Sequence, residues 1–154
     1  MDAVPCLVWM SNEHSACNYF NHAWLDFRGR TLAQEINGGW ADGIHPDDLG
    51  NVVRQLELAV QTHSVVTLEY RLRQGNGDYR WILDRSAPRH SRLGVFQGYI
   101  GTCLDITEKK RAEQEILRLN SSLEQRVLER TADLEQARND ANTANQTSPF
   151  FWPP

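Results

Sequence analysis

Hydrophobic and polar positions change period along this chain, and each change marks an element. Val66, Leu68, Tyr70 and Leu72 alternate with Thr67, Glu69, Arg71 and Arg73, the period of a strand with two unlike faces. The turn-forming QGNGD (74–78) follows, and its Asn-Gly pair predicts a hairpin. YRWILDR (79–85) returns antiparallel, SAPRHSRLG makes a second connection, and VFQGYIGTCLDI supplies the last strand. Near the start, Pro5 to Met10 is continuously apolar, and CNYFN (17–21) follows the turn-rich SNEHSA, which predicts an N-terminal hairpin.

Between these strands the period is helical. HPDDLGNVVRQLELAVQTH (45–63) sets Val52, Val53, Leu56, Ala59 and Val60 in one stripe. Pro46 suits the first helical turn, where its missing N–H costs nothing, and Asp47 and Asp48 complement the positive end of the helix dipole. From His22 to Trp40 the pattern is broken at Gly29 and again at Asn37-Gly38-Gly39, so two short helical turns are expected. The sum is an α+β plan: a five-stranded antiparallel sheet with helices on one face and the other face free.

From Glu108 onward neither Gly nor Pro occurs until Pro149. Ile116, Leu119, Leu123, Val127 and Leu134 recur as a heptad seam with a four-residue insertion between Leu123 and Val127. Arg130 falls on the seam one turn from Arg126, which weakens the pairing. So polar a helix has no stripe partner of its own, and a parallel homodimeric coiled coil is expected. Residues 108–146 would extend roughly 58 Å at the α-helical rise.

Composition narrows the function classes. The 154 residues are 40% hydrophobic and 23% charged with a net charge of −4, which offers no basic face for nucleic acid. No apolar run approaches the ~20 residues that span a bilayer, and the start lacks the basic and apolar regions of a signal peptide. Three cysteines without recognisable spacing are read as reduced thiols, and a cytoplasmic location is expected.

The order hairpin, small helices, long helix and three-stranded meander, with the fragments IHPDDL, LEYRLRQGNGDYRWI and GTCLDITEKKRAE, resembles a PAS domain with its PAC segment, of the sensor histidine kinase type. LNSSLEQRVLERTADLEQARNDANTANQ resembles the coiled-coil linker through which such domains address kinase dimerisation domains. The resemblance implies a sensor domain over residues 1–107 and a signalling helix over 108–146. Residues 147–154 are read as a disordered or aberrant tail, one explanation being a frame slip before a kinase's catalytic part. In such kinases a phosphate-accepting histidine follows the linker, whereas the last histidine here is His90. The expectation is a non-catalytic sensory and dimerisation module, with no catalytic residues, that relays ligand- or redox-dependent changes through the coiled coil as the input part of a truncated two-component sensor histidine kinase, with a histidine kinase or response-regulator pathway as partner. The alternative is a stand-alone interaction protein that forms mixed dimers with a kinase or another PAS protein.

The resemblance also distributes roles. Asp105, Ile106 and Thr107 would couple the last strand to the exit helix, with Arg80 and Trp81 of the preceding strand holding them and the Thr107 hydroxyl capping the helix. A small-molecule ligand would lie between the inner sheet face and the long helix, among Trp9, Phe20, Trp40, Leu56, Tyr70 and Ile100. An aromatic interior is more often packed core than cofactor box, and no resident cofactor is expected. The flavin-attaching cysteine motif is absent from TLAQEINGGWADG, and His63 is the sole candidate axial ligand for haem. Cys6, His14, Cys17 and His22 match no usual zinc spacing, so no metal is assigned.

Overall fold

A computed structural model describes residues 5–147. The chain divides after Lys110 into two compact units.

The first unit is built on an antiparallel sheet of strands β1 (Leu7–Ser11), β2 (Cys17–Phe20), β3 (Val66–Arg73), β4 (Tyr79–His90) and β5 (Phe96–Asp105), in the order β2-β1-β5-β4-β3. Helices α1 (His22–Arg28), α2 (Leu32–Glu35) and α3 (Pro46–Thr62), with a 3-10 turn at Gly39–Gly43, fill the connection between β2 and β3. The alternation read from the sequence sets the faces. Leu68, Tyr70 and Leu72 of β3 are buried, as are Ile82, Asp84 and Ser86 of β4, and these residues pack toward the helical connection. Leu7 and Trp9 of β1 and Tyr99 and Cys103 of β5 complete the same inner face.

Local chemistry ends α1 and starts α3 where the sequence suggests, whereas α2 stops at Glu35, with an extended Ile36 after it, before the expected Asn37-Gly38-Gly39. Gly29 takes a left-handed conformation (φ 62°) as the α1 stop, its N–H donating to Asp26 and Leu25 carbonyls. Pro46 opens α3, and the His45 imidazole accepts the Asp47 N–H at 3.1 Å. His45 N also donates to the Arg71 carbonyl at 2.9 Å, so the start of α3 is tied to the edge strand β3.

What the sequence pattern does not announce is a buried ionic cluster under α1 and α2. Arg28 (3% exposed) and Glu35 (0%) face each other with Nη2 and Oε1 3.2 Å apart, and Trp24 Nε1 donates to Glu35 Oε2 at 3.0 Å. Arg30 reaches the same carboxylate at 2.7 Å, and Arg28 Nη1 donates to the Arg73 carbonyl at 2.7 Å, which pins the short helices to the end of β3.

Helix α4 (Thr107–Thr147) begins in the first unit and makes up the second. Its 41 residues run as one helix through the insertion between Leu123 and Val127. Ile116, Leu119, Leu123, Val127 and Leu134 are all more than half exposed, and so are Leu117 and Leu128. Side-chain pairs one turn apart, such as Glu115–Arg118 at 2.6 Å and Gln136–Asp140 at 3.0 Å, link neighbouring turns of the helix. The tail reading concerns residues that, from 148 onward, lie outside the described residues.

Candidate functional site

Two neighbourhoods gather the candidate side chains: a cavity behind the inner sheet face and the junction between β5 and α4. Of the residues assigned to a ligand space, Trp9, Phe20, Trp40, Leu56 and Tyr70 line one cavity, with Trp24, Val52, Cys17 and Asp84 completing its wall. Ile100 is the exception. It pairs laterally with Met10 and Ala87, and its β5 neighbours Tyr99 and Gly101 face inward, so strand alternation turns it to the opposite face. The space open to the centre of a water-sized sphere is ≈ 20 Å³, room for a single water.

At the floor of this cavity stands a carboxylate that the sequence reading passed over. Asp84 is 3% exposed at the inward register of β4. Its Oδ2 accepts Trp9 Nε1 at 2.9 Å and the Tyr70 hydroxyl at 2.8 Å, and its Oδ1 accepts the Ser86 hydroxyl at 2.8 Å. Burial pushes the Asp84 carboxyl above its ordinary range, although the bonds from Trp9, Ser86 and Tyr70 pull the other way. Burial likewise pushes the Cys17 thiol up to about 12, with the Asp84 charge adding to it, so the thiol stays uncharged. The geometry depends on Gly101, where any Cβ would overlap the Trp9 indole. The available signal was parity: in Ile82, Leu83, Asp84, a charge falls where the core face should continue.

The junction is a closed hydrogen-bond ring. Arg80 Nε donates to Asp105 Oδ2 at 2.7 Å. Asp105 Oδ1 accepts both the Thr107 N–H (2.9 Å) and the Thr107 hydroxyl (2.6 Å), and that hydroxyl accepts the Trp81 N–H at 2.9 Å. Ile106 N donates to the Trp81 carbonyl at 2.8 Å, which continues the β4 pairing past the end of β5. The first helical amide is therefore capped by the Asp105 carboxylate. The Thr107 hydroxyl bonds sideways to β4, because Thr107 already lies inside the helix and its own N–H needs an acceptor from before it. Burial pulls the Asp105 carboxyl up, but the bonds from Thr107 and Arg80 outweigh it and leave the group below its ordinary range.

Trp81 presents its ring on the outer face. The Lys110 ammonium sits 4.3 Å from the ring centroid and the Arg71 guanidinium 5.1 Å from it. Lys110 also pairs with Glu69 at 2.7 Å. Arg71 makes a two-pronged bond to Asp48 on the first turn of α3, at 2.9 Å on each side. Those bonds hold the Asp48 carboxyl below its usual range against partial burial. A continuous chain of contacts thus runs from α3 through Arg71 and Trp81 to the first turn of α4. Arg71 and Lys110 had no assigned role in the sequence reading, since each looks like an ordinary surface charge, and Asp48 was expected only to complement the helix dipole.

Among the described residues no group of three or more His, Cys, Asp or Glu side chains could hold a metal ion, and no helix is long and apolar enough to cross a membrane. His63 caps α3 in a left-handed conformation and stacks on Phe96 with ring centroids 4.0 Å apart.

Comparison with known proteins matches residues 18–103, more than half of the chain, to the PAS fold. An uncharacterized protein, y4lL, of Sinorhizobium fredii is 35% identical over 97% of this chain. Sporulation kinase C of Bacillus subtilis is 26% identical over 80% of it. The chain spans 17% and 28% of those proteins' own lengths. The crystal structure of a sensory box histidine kinase/response regulator from Burkholderia thailandensis superposes with a TM-score of 0.61 at 24% identity, covering 79% of this chain and 92% of that one. The chain belongs to the PAS fold family, as a sensory domain related to those of sensor histidine kinases and followed by a helical segment.

Proposed function

We propose that residues 1–107 sense and residues 108–146 transmit, as the non-catalytic input part of a two-component sensor histidine kinase. The observation that carries this reading is the ring formed by Arg80, Trp81, Asp105 and Thr107. It fixes the first turn of α4 to β5 and to its neighbour β4, whose Asp84 lines the cavity, so a change in sheet packing is felt at the helix start. Ligand occupancy in the cavity shifts the balance between two arrangements of the sheet, and the helix pair reports the shift. The apolar seam of Ile116, Leu119, Leu123, Val127 and Leu134 supports a homodimer, since its exposed side chains gain burial only against a second chain. The relationship to a protein named as a sporulation kinase supports a kinase pathway as the receiving partner.

Cross-linking tests the reading. In a Cys6→Ser background, cysteines placed singly at Leu119 and Leu123 should form inter-chain disulfides, and Asp105→Ala with Thr107→Val should change their relative yields. Disulfide yields at chance level in light-scattering-verified monomers remove the dimer. Yields that do not respond to loss of the ring remove the relay.

A further inference from the structure

The cavity's chemistry singles out a class of ligand, on the premise that the cavity is the sensing site. Asp84 is a buried carboxylate, and its three hydrogen-bond donors, Trp9, Tyr70 and Ser86, are all neutral. A buried negative charge is ordinarily matched by a cation, and here the protein supplies none among these partners. The same cavity is walled by the rings of Trp9, Phe20, Trp24, Trp40 and Tyr70. Aromatic faces carry negative potential and attract ammonium groups, more strongly when water is excluded. Three donors occupy most of the acceptor positions of one carboxylate, so a bound cation is held by charge and by the rings more than by new hydrogen bonds.

We propose that this cavity binds a small alkylammonium ion, its charge facing Asp84 and its carbon atoms against the aromatic walls. Entry requires one side chain to move. Trp40 and Leu56 line this cavity of ≈ 20 Å³, a second of ≈ 50 Å³ and a more open cleft of ≈ 400 Å³. Trp40 is only half-buried and sits on the short 3-10 turn, so its outward rotation joins the three spaces. Trp40 is thus the gate, and Leu56 on α3 is its opposite jamb. The upward displacement of the Asp84 carboxyl by burial is consistent with a charge that awaits its partner.

The test compares two molecules of one shape, tert-butylammonium and tert-butanol, titrated into the 154-residue chain and followed by calorimetry and tryptophan fluorescence. The cation should saturate with a dissociation constant about tenfold or more below that of the alcohol, and the fluorescence of the lining tryptophans should change. Asp84→Asn should bring the two constants together, and Trp40→Ala should speed association. Equal affinity for both molecules in the unaltered protein overturns the cationic class while leaving a ligand cavity in place. Preference for the cation that survives Asp84→Asn puts the site elsewhere and also overturns it. Saturation by neither molecule, in the unaltered protein and in Trp40→Ala alike, overturns the proposal and the sensing role of the cavity together. Should Asp84→Asn not fold, the comparison in the unaltered protein still decides.

Discussion

The first 110 residues and the helix that follows bury their apolar groups in opposite ways. Every buried hydrophobic side chain among the described residues, from Leu7 to Cys103, precedes Lys110. Beyond it, Leu117, Leu123, Leu128 and Leu134 remain exposed, and the hydrogen bonds and ion pairs seen are between neighbouring turns. One region is held by contacts between residues distant in sequence. In the other, the contacts seen link neighbouring turns of one helix, which is a weak basis for a long helix in water. The difference teaches where each region's stability comes from: the sheet from its own interior, and the helix, on the proposed reading, from a second chain.

Truncation of an inward and an outward apolar side chain should expose this contrast most sharply. Ile82→Ala removes a side chain with 0% exposure and should destabilise the first unit by about 2–5 kcal/mol in urea unfolding. Leu119→Ala, at the half-exposed seam, should move the same transition by less than about 0.5 kcal/mol while weakening self-association in sedimentation experiments. Equal effects in dilute solution would erase the distinction. Next in size comes Gly101→Ala, whose methyl must displace the Trp9 indole. Overpacking here should cost about 1–3 kcal/mol and blue- or red-shift Trp9 emission as its bond to Asp84 is lost.

Two aspartates make the comparison finer, because their pH dependences have opposite signs. Asp48 titrates lower in the folded chain than in the unfolded one, owing to Arg71. Its contribution is therefore present above the unfolded value of about 3.9 and is lost as pH falls through the lower folded value. Asp48→Asn should be less stable than the unaltered chain at neutral pH, by about 1.5–3 kcal/mol for a charge-assisted bond, and the gap should close in acid. Asp84 titrates higher in the folded chain because it is buried. Stability linked to its protonated form is full below about 3.9 and is lost as pH rises through the higher folded value. Relative to Asp84→Asn, the unaltered chain should lose ground as pH rises from 4, and a gap that stays constant would show that Asp84 does not titrate differently on folding. Smallest of all, Lys110→Ala removes the ammonium over Trp81 and should cost about 0.5–1 kcal/mol in thermal unfolding.

How much of this was legible depends on the range of the physics involved. The alternation in β3, the Asn76-Gly77 turn and the proline-led start of α3 follow from backbone preferences within a few residues, and each stands where the pattern put it. The faces of most strands followed too, since alternation needs only one anchor to set every other position. Ile100 is large and apolar enough to line a cavity, yet strand parity with the inward Tyr99 turns it to the opposite face.

Other features have no local signature. Arg28 and Glu35 look like ordinary helix-surface charges, yet they are closed off from water by the 3-10 turn and the end of β3. Asp48, Arg71, Trp81 and Lys110 lie on four different elements, and nothing in their spacing foretells that they touch. Element type and facing were written in short-range patterns, because steric and hydrogen-bonding preferences act over a turn or a strand. Which charges are buried, which carboxylate faces the aromatic cavity and how the exit helix is fastened were set by packing, because those energies exist only once distant segments meet.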